Sequence, residues 1–86
     1  MTKTRDEIAA EYVERFGKLT PQRQEIAANE IAERYSAAFA SPKNIRAFAV
    51  GLRLGLLGEP LPDRCAPHWR KGFAVGRAIR DGQLPP

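Results

Sequence analysis

Phe48-Ala49-Val50-Gly51 returns, side chain for side chain, as Phe73-Ala74-Val75-Gly76 twenty-five residues later. Each copy sits in a Gly-rich, Arg-bearing run: Ala47-Phe48-Ala49-Val50-Gly51-Leu52-Arg53-Leu54-Gly55, then Gly72-Phe73-Ala74-Val75-Gly76-Arg77-Ala78-Ile79-Arg80. Glycines four apart share one face of a helix, and each costs a helix about 1 kcal/mol relative to alanine. The pairs Gly51/Gly55 and Gly72/Gly76 therefore predict two helices whose backbones approach closely, with Phe48 and Phe73 filling the space beside them.

Helix punctuation extends the reading in both directions. Ser41-Pro42 is an N-cap followed by a proline at the first helical position, so the first glycine helix spans about 42–57. Only Lys43, Asn44, Arg46 and Arg53 interrupt its apolar surface, which marks it as central. Gly58 ends it. Glu59-Pro60-Leu61-Pro62-Asp63-Arg64 cannot be regular structure, because its prolines remove donors and disfavour helix before them. The second glycine helix starts near Pro67 or His68, ends near Asp81-Gly82, and leaves Gln83-Leu84-Pro85-Pro86 as a tail.

Upstream, Thr4-Arg5-Asp6-Glu7 is a capping box. An apolar stripe of Ile8, Tyr12, Val13 and Phe16 follows, with Gly17 as the stop. Thr20-Pro21 restarts the chain into a helix over about 21–39, with Ile26, Ala27, Ile31, Tyr35, Ala38 and Phe39 facing inward and Glu30/Arg34 paired on its wet side. Strand signals are nearly absent. The expected fold is all-α: a small four-helix domain over 1–86 built from two helical hairpins, an N-terminal one over 1–40 and a Gly-rich basic pair over 41–82.

At 86 residues the chain makes one small domain with a thin stability margin. Its single Cys65 excludes an internal disulfide and fits a reducing cytoplasm. No apolar run reaches the roughly 18 residues a membrane span needs, and the charged start of the sequence lacks the apolar stretch of a secretory signal. Charge is unevenly placed. Residues 1–40 carry six Lys/Arg against seven Asp/Glu, whereas residues 41–86 carry eight against three. The second half is thus suited to a polyanion or an acidic protein surface.

The candidate binding residues follow from that half. Arg70, Arg77 and Arg80 share one face of the last helix, with Lys71 beside them; Arg46 and Arg53, seven apart, line the preceding helix. In an antiparallel pair the two rows merge into one cationic surface. Arginine forks match phosphate or carboxylate; His68 and Trp69 stand at the helix start where they can stack on an unpaired base, although Trp69 is expected mainly in the core, against the Gly51/Gly55 face, with only its edge at the surface. Cys65 and His68 are too few ligands for zinc. There is no Gly-Lys-Ser/Thr phosphate loop and no oriented nucleophile–base pair. The expectation is a non-enzymatic protein without metal or cofactor.

Residues 46–80 resemble the ribosome modulation factor family. The resemblance rests on the Gly-rich helix Gly51-Leu52-Arg53-Leu54-Gly55-Leu56-Leu57-Gly58, the Cys65-Ala66-Pro67 segment, and Trp69-Arg70-Lys71-Gly72-Phe73 on the second helix, in family order. Ala66 here interrupts the family's Cys-Pro-Tyr and His68 stands at its Tyr; residues 1–40 have no counterpart in the short family members. The resemblance implies a small helical protein that binds the ribosome or structured RNA and restrains translation. The alternative is a phage- or plasmid-type inhibitor that docks an acidic host protein of the nucleic-acid machinery, through the same basic face or the N-terminal hairpin. A homodimeric helical adaptor is the third expectation.

Overall fold

The hydroxyls of Thr4, Thr20 and Ser41 each accept a hydrogen bond from the backbone N–H three residues ahead, at 3.2, 3.3 and 3.3 Å. These caps start the first three helices of the computed structural model, which describes residues 2–36 and 41–86. The helices are α1 (Arg5–Lys18), α2 (Pro21–Ser36), α3 (Pro42–Leu57) and α4 (Pro67–Arg80), and no strand occurs among the described residues. The fold is all-α, four helices in two hairpins.

The two glycine helices end alike. Gly58 and Gly82 take the left-handed conformation, φ 72° and 78°, which residues with a Cβ rarely adopt. The next N–H in each case reaches back five residues, Glu59 to the Leu54 carbonyl at 3.0 Å and Gln83 to the Ala78 carbonyl at 2.8 Å. That closes orphan carbonyls at both helix ends. Gly17 does not end α1. It sits inside the helix with an ordinary φ, and the chain leaves helical geometry at Leu19.

The two hairpins are held differently. α3 and α4 pack along their whole length; α2 lies on α3, and α1 rests against both α3 and α4. Phe48, Ala49, Leu52 and Leu56 of α3 meet Phe16 of α1, Ala28, Ile31 and Ala32 of α2 and Ile79 of α4 in one core. As expected, α3 is central.

Two expected inward residues lie outside. Ile8 is 46% exposed and Ile26 60% exposed. Successive helical residues turn by about 100°, so Ile26 stands about 140° from Ile31 and cannot share its face. The inner line of α2 is instead Gln24, Ala28, Ile31 and half-buried Tyr35. On α1 it is Ala9 and Phe16, one heptad apart, with the Tyr12 ring stacked 6.3 Å from Phe16. Ala38 and Phe39 lie outside the described residues. The Glu30–Arg34 pair is not formed; Arg34 Nη1 donates to the Pro86 carbonyl at 3.0 Å, and the Tyr35 hydroxyl donates to the Pro85 carbonyl at 2.7 Å. The tail is therefore docked on α2, with Leu84 packed against the core. No helix among the described residues is long and apolar enough to cross a membrane.

Candidate polyanion-binding face

The faces that the arginines of α3 and α4 occupy follow from the glycine contact. A Cβ added at Gly51 would overlap the Trp69 carbonyl oxygen and lie 2.9 Å from the Phe73 nitrogen; one at Gly55 would lie 2.5 Å from the Phe73 oxygen. From the other side, a Cβ at Gly72 would overlap the Phe48 carbonyl oxygen, and one at Gly76 would lie 3.0 Å from the Leu56 nitrogen. Glycine thus meets backbone on both helices, close enough for Cα–H···O contacts. Trp69 presents its carbonyl to Gly51, while the residue itself is only half-buried and lies outside the core cluster.

This contact fixes the outer face of α4. Arg70 and Arg77 stand about 150° around the helix from Gly72, seven residues and about 10 Å apart along the axis. Both are exposed, as is Ala74 between them and Lys71 beside them. Residues 64–80 hold Arg64, Arg70, Lys71, Arg77 and Arg80 and no Asp or Glu. The face is cationic, and the first acid beyond it, Asp81 at the C-cap of α4, forms no ion pair with Arg77. Its arginine forks remain available to an incoming anion.

The other predicted cations are placed differently. Arg53 and Arg46 lie about 200° around α3 from Gly51, on the side away from α4. The two arginine rows therefore do not merge into one surface. Arg53 is half-buried and its Nε donates to the Gln24 Oε1 at 2.9 Å. Arg46 is exposed on a groove between α2 and α3 whose lining also includes Glu25 and Glu59. Arg80 turns back to α3: its Nη1 donates to the Leu56 carbonyl at 2.8 Å and its guanidinium lies against Gly58. A cation there complements the partial negative charge of the α3 C-terminus. His68 and Trp69, both half-buried, occupy the first turn of α4, next to Arg70. Among the described residues no cluster of His, Cys, Asp or Glu is suited to a metal ion.

Gln24 carries a role that sequence reasoning missed. Buried in α2, it donates to the Phe16 and Leu19 carbonyls at 3.1 and 3.3 Å and accepts from Arg53, linking the end of α1, α2 and α3. Its signal was its position, four and seven residues before Ala28 and Ile31 on the inner line. Among the described residues no buried side-chain nitrogen or oxygen lacks a partner. Among the described residues two groups titrate away from their ordinary ranges. Burial raises the Tyr12 phenol, an effect Arg34 only partly opposes, and the hydrogen bond from Lys3 lowers the Glu11 carboxyl.

Comparison of the chain with protein-family models, characterised proteins and solved structures gives no match.

Proposed function

We propose that this is a non-enzymatic basic helical protein that binds the ribosome or another structured RNA through the outer face of α4 and thereby restrains translation. The observation that carries the reading is the exposed Arg70–Arg77 row, on an acid-free stretch turned away from the core. Arg70, Arg77 and Lys71 contact phosphates; the rigid glycine contact behind them holds the row without a flexible loop. Binding of this kind is mostly sequence-independent and strongly salt-dependent. Trp69, half-buried at the start of the row, offers a ring on which an unpaired base stacks. The resemblance of residues 46–80 to ribosome modulation factors supports the same reading, because its Trp69-Arg70-Lys71-Gly72-Phe73 element is the start of this face.

The test is capture of partners from lysate on the immobilised protein, with and without nuclease. Ribosomal RNA retained by the parent and lost with the Arg70→Ala/Arg77→Ala double variant is the expected result. A complex that survives nuclease and still depends on these arginines would favour an acidic protein partner instead.

A further inference from the structure

α3 is apolar nearly all round, yet one side of it is uncovered. Its glycine face meets α4, its Phe48, Leu52 and Leu56 fill the core, and Ala49 is buried. Val50, Leu54 and Leu57 form a stripe at i, i+4 and i+7. Val50 is 41% exposed, and Leu54 and Leu57 are half-buried. This stripe forms one wall of a groove of about 320 Å³; Ala28 and Asn29 of α2 are part of the other.

The groove carries opposite charge at its two ends. Arg46 lies toward the start of α3 and Glu59 follows its C-terminus, while Arg53, which also lines the groove near its middle, is half-buried and turned to Gln24. Glu25 is on the Glu59 side, because its neighbour Gln24 is bonded to Arg53 rather than to a residue near Arg46. Arg46 and Leu57 are separated by about 16 Å along the helix, so the two ends are distinct.

Such a surface complements itself when turned end for end. The midpoint of Val50 and Leu54 is residue 52, and the midpoint of Arg46 and Glu59 falls within one residue of it. One two-fold axis there would place Val50 on Leu54 of a second copy and Arg46 on Glu59 of a second copy, each pair occurring twice. We propose that the groove between α2 and α3 is the interface of an antiparallel, two-fold dimer of this chain. The outer face of α4 lies on the far side of the α3–α4 pair, so dimerisation leaves both Arg70–Arg77 rows open.

Sedimentation from about 1 μM to about 1 mM reads the association over the range where micromolar to millimolar dimers form. The parent is expected to approach twice the monomer mass. Val50→Glu and Arg46→Glu should each raise the dimer dissociation constant about tenfold or more, since each buries or opposes like charge at the contact. The decisive arm mixes Arg46→Glu with Glu59→Arg. Each variant repels itself, but together every reversed charge meets its opposite, and the mixture should dimerise better than either component. Arg46 and Glu59 are both exposed, so these reversals leave the fold intact, as circular dichroism will register. A parent that stays monomeric throughout overturns the proposal and leaves the groove to a different chain. A mixture no better than its components overturns the paired geometry.

Discussion

Replacing Gly51 with alanine adds one methyl group where no space exists. The new carbon would overlap the Trp69 carbonyl oxygen and lie 2.7 Å from the Trp69 carbonyl carbon and 2.9 Å from the Phe73 nitrogen. All are helix backbone atoms, so no side chain can swing aside. α3 and α4 must part by about 1 Å to regain ordinary contacts, a gap that forfeits a quarter to a half of the dispersion energy of the atoms it separates. Leu52, Leu56 and Ile79, all fully buried, lie on that seam. Overpacking costs about 1–3 kcal/mol, and against backbone the upper end applies. Alanine's better helix propensity returns about 1 kcal/mol. The net loss is about 2 kcal/mol, or roughly 8–16 °C in Tm for a domain of this size. Gly17 is the internal control, since nothing lies within 4 Å of a Cβ placed there and its φ is not positive. Gly17→Ala should be neutral or stabilising by up to about 1 kcal/mol. Thermal melts followed by circular dichroism measure both. If Gly51→Ala melts at or above the parent, the close-packed glycine seam is wrong.

Gln24→Ala removes a buried link between three helices and should cost about 1–3 kcal/mol, read from urea unfolding; no shift in midpoint would mean that the link contributes nothing. Arg80→Ala uncovers the Leu56 carbonyl and should destabilise by about 0.5–1.5 kcal/mol, whereas Arg77→Ala, exposed on the outer face, should stay within about 1 kcal/mol of the parent; equal melts for the two would contradict their separate roles. The Tyr12 phenol is held above its ordinary value by burial. The stability it contributes is complete below about pH 10 and is lost as pH rises through its folded pKa, because the unfolded chain ionises first. Denaturation midpoints measured from pH 8 to about pH 11.5 should therefore fall at the alkaline end, and less so for Tyr12→Phe.

The parts of this fold legible in the sequence are those set by backbone chemistry. Thr4, Thr20-Pro21 and Ser41-Pro42 announce helix starts because capping needs only a hydroxyl at one position. The glycine pairs announce a close contact because glycine in a helix otherwise costs stability. Gly17 misled because the same residue can stop a helix or simply sit on an exposed face of one. α2 is less legible: Ile31 and Tyr35 mark its inner line, but that line begins with Gln24 and Ala28, so the larger Ile26 points the reading to the wrong side. The basic half was legible as a composition but not as a surface. Arg53 and Arg80 are spoken for by Gln24 and the Leu56 carbonyl, partners distant in sequence that no local pattern reveals. The docking of Pro85 and Pro86 on Tyr35 and Arg34 was invisible for the same reason.

The proposed α4 face is tested most directly by its electrostatic footprint. Affinity for purified ribosomes or a structured RNA, measured across a salt series, should fall linearly on a log–log plot. For the Arg70→Ala/Arg77→Ala variant the slope should be shallower by about 1.4–1.8 units, two phosphate contacts at about 0.7–0.9 each, with the thermal melt essentially unchanged. Parent and variant binding with the same slope and affinity, or a parent that binds neither ribosomes nor RNA at low salt, would contradict the account.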